Sequence, residues 1–230
     1  MPHRYSRRSV LTMAGGGLAA TVAPVRHAFA QVDDRPWFFL TDDEARWLAA
    51  ITDVFIPEDA FPSASQAGVV DYIDFQMATD YGRGDGLYLQ GPFPEGTPEQ
   101  GYQLPLTPAE LIRAGIAGAR GEVDLARMDG AQREAWVTDL SERDDGIGDV
   151  PAGTFFSELL SLANEGYFAD PIYLGNKGYA GWDMVGFPGA HAYYLDLVDE
   201  HNRPYRRQPM GVAHDPSGRS TLPRPVGRGG

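Results

Sequence analysis

Three histidines, His191, His201 and His214, lie beyond residue 30. Imidazole is the side chain best suited to metal ligation and to proton transfer near neutral pH. Ligands on one helix face recur at three or four residues, and intervals of ten and thirteen do not fit that pattern. They read as surface or packing histidines. The chain has no cysteine, which removes disulfides, thiolate nucleophiles, thiolate-bound metals and covalent haem attachment. No Gly-x-Ser-x-Gly elbow and no phosphate-binding lysine loop occurs. Gly84-Asp85-Gly86 lacks the third glycine and the preceding strand of a dinucleotide loop. Asp144, Asp145 and Asp149 do not have calcium-loop spacing and predict a solvated turn. Gly115, Gly118 and Gly121, three apart in a predicted helix, are either a site of close helix packing or chance. Carboxylates are too abundant for one acid–base pair to stand out. The residues therefore assign no catalytic, cofactor-binding or metal-binding position.

Local signals place a series of short helices. Thr41 with Glu44 forms a capping box, followed by Ala45, Leu48, Ala49, Thr52 and Phe55 at helical spacing, and Pro57 stops the run. Val69, Ile73 and Met77 predict a second helix that ends near Tyr81-Gly82. Thr107-Pro108-Ala109-Glu110 is another start signal, with proline at the first helical position. A fourth helix starts at Asp129 to Gln132, and a fifth runs from Thr154 to about Gly166. Tyr193 to Val198 predicts a last short one. No long alternating β-branched run supports a sheet. The expected fold is mainly α, a single compact helical domain over 31–209 with two long ordered loops, 82–105 and 166–190.

Composition supports a folded but acidic body. The 230 residues include 43% hydrophobic and 22% charged side chains, with net charge −13. Between 31 and 202 there are nine basic and 31 acidic residues. That balance opposes binding to nucleic acid, which needs cations against phosphates. From Arg203 onward six arginines face one acid, Asp215. Residues 210–230 predict a disordered basic Pro/Arg/Gly tail, lying on the acidic body or reaching an acidic partner.

The first thirty residues read as an address. Arg7 and Arg8 stand in the run SRRSVL, and a short apolar stretch follows with Gly15, Gly16 and Gly17 inside it. Ala28-Phe29-Ala30 then gives a small-x-small cleavage site. The apolar stretch is shorter than the ~20 residues a membrane span requires. Low hydrophobicity and the arginine pair are similar to a twin-arginine (Tat) export signal, 1–30. That route carries folded cargo, so a periplasmic destination is expected, with no transmembrane helix.

Beyond residue 30, glycine and proline make up about a fifth of the chain against ~12% in average proteins. They gather in the two loops, among aromatics: Tyr88, Phe93 and Tyr102 in the first, and Tyr167, Phe168, Tyr173, Tyr179, Trp182 and Phe187 in the second. Disordered segments are poor in aromatics. Such loops suit an interface, because the rings bury area and keep a polar tip.

Three stretches carry a resemblance: QGYQLPLTPAELIRAGI over 100–116, GYFADPIY over 166–173 and GWDMVGFPGA over 181–190, with Gly175-Asn176 between the last two. Together they resemble the gluconate 2-dehydrogenase subunit 3 family, over roughly 37–209. Leu174 stands where that resemblance leads one to expect glycine. The resemblance implies a non-catalytic small subunit without a cofactor of its own. It also implies a large partner of the glucose-methanol-choline type that binds FAD, and a possible multihaem cytochrome c subunit. The small subunit would serve maturation and export of the large one, peripheral to the inner membrane. On that reading Tyr167, Phe168, Asp170, Pro171, Tyr173, Asn176, Trp182, Gly186, Phe187, Pro188 and Gly189 form the partner interface. The same aromatics could instead build the domain's own core. A free-standing carbohydrate-binding module and an enzyme in its own right remain as alternatives.

Overall fold

A computed structural model describes residues 36–94, 96–97, 100–190, 198–201 and 208–212. The expected export signal, most of the short helix expected at Tyr193, and the residues beyond Val212 lie outside the described residues. What is described is mainly helical. The α-helices are α1 (Asp42–Phe55), α2 (Val69–Ala78), α3 (Pro108–Glu122), α4 (Gly130–Glu142), α5 (Ala152–Phe168) and α6 (Ala180–Val185). A two-residue antiparallel hairpin, β1 (Gly146–Ile147) with β2 (Val150–Pro151), is the one sheet among the described residues.

The start signals hold. The Thr41 hydroxyl accepts from the Glu44 amide, and the Glu44 carboxylate accepts from the Thr41 amide at 2.8 Å. Thr107 with Glu110 and Asp129 with Gln132 repeat this at α3 and α4. Each box satisfies donors that the first helical turn leaves open. Three ends differ from expectation. Helix α2 stops at Ala78, where the Thr79 hydroxyl turns back onto the Gln76 carbonyl. Helix α5 starts two residues early, because the β1–β2 hairpin fixes its entry and the Ala152 amide donates to the Asp145 carbonyl at 3.1 Å. It also continues past Gly166, which lies buried inside it against Tyr72.

Helix α5 is the central element, packed against α1, α2, α3, α4 and α6. It contributes Phe155, Leu159, Leu162, Ala163 and Tyr167 to the core. Leu48 and Ile51 of α1, Ile73 of α2, and Leu111, Ile112 and Ile116 of α3 close around them. Trp47 meets Trp136 edge-on at 6.2 Å and Phe155 at 6.3 Å. Burying one such large side chain contributes roughly 1.5–3 kcal/mol.

The glycines of α3 are packing devices. A Cβ on Gly115 would stand 2.1 Å from the Phe155 ring, and one on Gly118 would stand 2.6 Å from the Gly148 amide. Helix α3 therefore lies directly on α5 and on the hairpin. Gly121 meets nothing, so the spacing of three is functional at two positions of the three.

One buried acid holds the chain's entry. Asp74 of α2 is fully buried, and its carboxylate accepts from the amides of Phe38, Phe39 and Leu40 at 3.0, 2.9 and 3.0 Å. A carboxylate out of water needs such donors. Arg113 of α3 covers the same strap: its guanidinium donates to the Phe39 carbonyl at 2.6 Å and sits 4.0 Å from that ring's centroid. The sequence signal was the pair of acids, Asp71 and Asp74, inside the otherwise apolar run VVDYIDF.

Candidate partner-docking surface

The segment 166–190 is not a loop. It contains the end of α5, 3-10 turns at Pro171–Tyr173 and Lys177–Tyr179, and α6. Asn176 explains how so much glycine and proline becomes regular. It is fully buried. Its side-chain amide donates to the Ala169 carbonyl at 2.9 Å, and its side-chain carbonyl accepts from the Gly181 amide at 2.9 Å. Its own backbone amide donates to the Gly166 carbonyl at 2.9 Å. One side chain thus closes the exit of α5 onto the start of α6. The Lys177 amide donates to the Ala67 carbonyl at 2.8 Å, and the Lys177 ammonium pairs with Asp71 of α2.

Backbone strain collects here. Leu174, Asn176 and Tyr179 have φ of 74°, 47° and 61°. These are the non-glycine residues with positive φ among those described. Such positions cost on the order of 1–3 kcal/mol each and persist where surrounding contacts dictate them. Asparagine tolerates this region better than leucine or tyrosine. Leu174 adopts the conformation that explains why glycine is expected there.

The structure divides the eleven expected interface residues. Tyr167, Pro171, Asn176, Trp182 and Gly189 are buried in the domain itself. The Tyr167 phenol donates to the Pro62 carbonyl at 2.7 Å, and burial pushes its pKa up. The Trp182 indole donates to the Phe168 carbonyl at 2.7 Å and stacks on Tyr179 at 5.3 Å. Their physical role in this fold is support, since a ring with no accessible area offers nothing to a partner. Asp170 and Pro188 are half-buried, and Gly186 is exposed. Asp170 is extended at ψ 135° before Pro171, and its carboxylate accepts from the Ile172 amide. Phe168, Tyr173 and Phe187 are exposed by 38%, 48% and 46%. Phe187 stands edge-on upon Trp182 at 5.0 Å. Val185, 60% exposed, adds to them. The buried rings therefore form a platform, and two exposed rings stand on it, Phe168 on Tyr167 and Phe187 on Trp182.

Other places offer less chemistry. A polar cleft of about 310 Å³ is lined by Asp43, Arg46, Trp47, Arg120, Val123, Asp124 and Ala126. Its charges are paired: Asp43 bridges Arg46 at 2.5 Å and Arg120 at 3.4 Å, and Asp124 meets Arg127, outside the lining, at 3.0 Å. Hydrogen bonding from Arg46 holds the Asp43 carboxyl below the usual range. Tyr72 donates to Glu165 at 2.9 Å and Tyr81 donates to Glu158; burial first, then those bonds, push both phenols upward. Asp144, Asp145 and Asp149 lie exposed at the hairpin, and His201 is exposed. Among the described residues no group of three or more histidines and carboxylates could hold a metal ion. Among them, too, no helix is long and apolar enough to cross a membrane.

Comparison with known proteins agrees with the motifs. The family model for gluconate 2-dehydrogenase subunit 3 matches residues 42–189, from the start of α1 to the end of the aromatic platform. No curated protein and no solved structure matches. The match spans more than half of the chain, and the chain belongs to the gluconate 2-dehydrogenase subunit 3 family.

Proposed function

We propose that this protein is the non-catalytic small subunit of a periplasmic, membrane-associated dehydrogenase complex that oxidises gluconate or a related sugar or polyol with FAD. Its role is to support maturation of the flavin-binding large subunit and to carry it through Tat export on the signal at residues 1–30. FAD resides in the large subunit, of the glucose-methanol-choline type, and a multihaem cytochrome c accepts the electrons in complexes that have a third subunit. Family membership supports the coarser part of this reading, a subunit of a multi-subunit dehydrogenase.

The observation that carries the docking role is the platform. Phe168, Tyr173, Val185 and Phe187 are exposed, yet they stand on a strained, heavily hydrogen-bonded base. Clustered exposed apolar side chains mark interaction sites. A rigid base lowers the ordering cost of association. Tat export suits a flavoprotein because the flavin must be inserted before crossing.

The test is affinity purification of the tagged mature protein from its native periplasm, with absorbance spectrum and peptide masses of what accompanies it. A yellow complex containing a flavoprotein of the large-subunit type is the expected result, and assays on sugars and aldonic acids then name its substrate. A colourless, lone chain overturns the reading in favour of a free-standing carbohydrate-binding module. The export half is separate: residues 1–35 fused to a reporter should stop being exported in a Tat-defective strain.

A further inference from the structure

Tyr173 and Phe187, the two most exposed rings of the platform, stand on different elements. Tyr173 ends the 3-10 turn Pro171–Tyr173, and Phe187 follows the left-handed Gly186 that caps α6. Each is tied to its own element: the Tyr173 amide donates to the Asp170 carbonyl at 3.0 Å, and the Phe187 amide donates to the Trp182 carbonyl at 2.8 Å. A strip of chain beyond the family match, residues 208–212, runs across both. Three successive residues of it each bind a different part of the platform. Met210 pairs with Gly189 in a parallel bridge. Its carbonyl accepts from the Ala190 amide at 2.6 Å, and its amide donates to the Pro188 carbonyl at 3.2 Å. The Gly211 amide donates to the Tyr179 phenol oxygen at 2.8 Å, and the Tyr179 ring is stacked on Trp182, which carries Phe187. The Val212 amide donates to Asp170 Oδ2 at 2.8 Å. Asp170 Oδ1 accepts from the Ile172 amide at 2.9 Å, at the start of the turn that ends in Tyr173.

The strip is seated by shape as well as by hydrogen bonds. Gly189 and Gly211 are both buried. A Cβ on Gly189 would stand 2.3 Å from the Met210 carbonyl oxygen, and one on Gly211 would stand 2.9 Å from Asp170 Oδ1. Glycine at both places lets the chains meet where a side chain would hold them apart. None of the strip's bonds named above reaches α1 to α5, so the strip acts on the surface and not on the core.

We propose that residues 210–212 are a crosstie that sets the distance between Tyr173 and Phe187, so that the docking surface is completed by chain outside the family match. Anchors spaced in advance lose less freedom on association. Use of that spacing by the flavin-binding subunit rests on the proposed function; the spacing itself does not.

The chain has no cysteine, so Tyr173→Cys with Phe187→Cys takes two spin labels and no others. Pulsed electron paramagnetic resonance then reads the distance between them in the full chain, in a stop after Val212, in a stop after Arg207, and in Tyr179→Phe. The last removes the acceptor of the Gly211 amide and keeps a ring on Trp182. The full chain and the stop after Val212 should give the same narrow distribution. The stop after Arg207 should broaden it about twofold and speed exchange of the Ala190 amide roughly a hundredfold, with protection in α1 to α5 unchanged, as a local opening requires. Tyr179→Phe should broaden it by less. Equal widths in all four chains overturn the crosstie. A stop after Val212 as broad as the stop after Arg207 also overturns it, by placing the effect after residue 212. Loss of protection throughout α1 to α5 overturns it too, by making the strip part of the core. In co-expression with the dehydrogenase subunit, the stop after Arg207 should bind about tenfold more weakly than the full chain. Equal binding beside a broadened distance would remove the role in docking and leave the crosstie. Failure of the full chain to capture any dehydrogenase would overturn the proposed function, and the distance measurement would still decide the crosstie.

Discussion

The two glycine- and proline-rich stretches, 82–105 and 166–190, have six glycines each and different structures. From Tyr88 to Pro105, hydrogen bonds among the described residues join neighbours no more than four apart, such as the Tyr102 phenol to the Leu106 carbonyl at 2.7 Å. Tyr88 is 81% exposed. From Gly166 to Ala190 the bonds cross the molecule: Tyr167 reaches Pro62, Lys177 reaches Ala67 and Asp71, and Val212 reaches Asp170. The difference does not come from glycine, six in each stretch, although the second has six aromatics against three. What the second stretch has besides is one buried polar side chain, Asn176, whose donor and acceptor are both used. Composition says that a segment can turn; a satisfied buried group decides that it turns one way.

The largest expected effect is at that residue. Asn176→Ala removes two buried hydrogen bonds and leaves a buried carbonyl and a buried amide unpaired, costing on the order of 3 kcal/mol or more. Chemical denaturation should show it, and hydrogen exchange should show loss of protection in 174–189 before the rest of the domain. A cost below about 1 kcal/mol would remove the explanation given for the difference between the two stretches. Alkaline pH is the next lever. Tyr72, Tyr81 and Tyr102 all have phenols pushed up chiefly by burial, Tyr102 to about 12. Their contribution is fully present below the unfolded tyrosine pKa of ~10 and is lost as pH rises through the folded values. The melting temperature should therefore fall steeply above pH 10. Tyr72→Phe, at the buried phenol, should flatten that fall, and an unchanged profile would show that Tyr72 is not the group concerned.

In the first stretch, Tyr102→Phe removes the bond to Leu106 and should cost about 1 kcal/mol. The loss should be confined to hydrogen exchange around 100–107. Spread over the second stretch, it would mean that the two are coupled. Leu174→Gly relieves a positive-φ leucine at 74° and should raise stability by about 0.5 kcal/mol, relief of strain being partly offset by chain entropy. A fall in melting temperature would show that the leucine side chain matters more than its backbone. Tyr88→Ala should change stability by less than about 0.5 kcal/mol, as exposed positions do. A larger loss would show that the first stretch is better packed than its hydrogen bonds indicate.

Much of this was readable in the residues. The three capping boxes and the central helices are local signals, because a cap and an apolar stripe need only residues within two turns. The family was readable from GYFADPIY and GWDMVGFPGA. The start of α5 was not, since the hairpin that sets it depends on Gly118 accepting Gly148 against it. The proposed interface was readable only as a set of aromatics. Tyr167 and Phe168 are adjacent in sequence, yet one is fully buried and the other is exposed by 38%. Both lie in α5, whose buried stripe Phe155, Leu159, Leu162, Ala163, Gly166 and Tyr167 leaves Phe168 out, so the distinction is legible only once the helix is known to continue past Gly166.

The sequence by itself determined the class of molecule: an acidic, cysteine-free, mainly helical chain, its caps, its family and its arginine-bearing last residues. Those follow from composition and from contacts between near neighbours. Tertiary structure alone decided that Asp74 would hold the entry strap, that Asn176 would shape the second stretch, that Asp170 would clamp residues 208–212, and which rings would face out. Each of these joins residues far apart in the chain. A buried polar group has to find its partners wherever packing leaves them, and that geometry exists only once the helices have closed around α5.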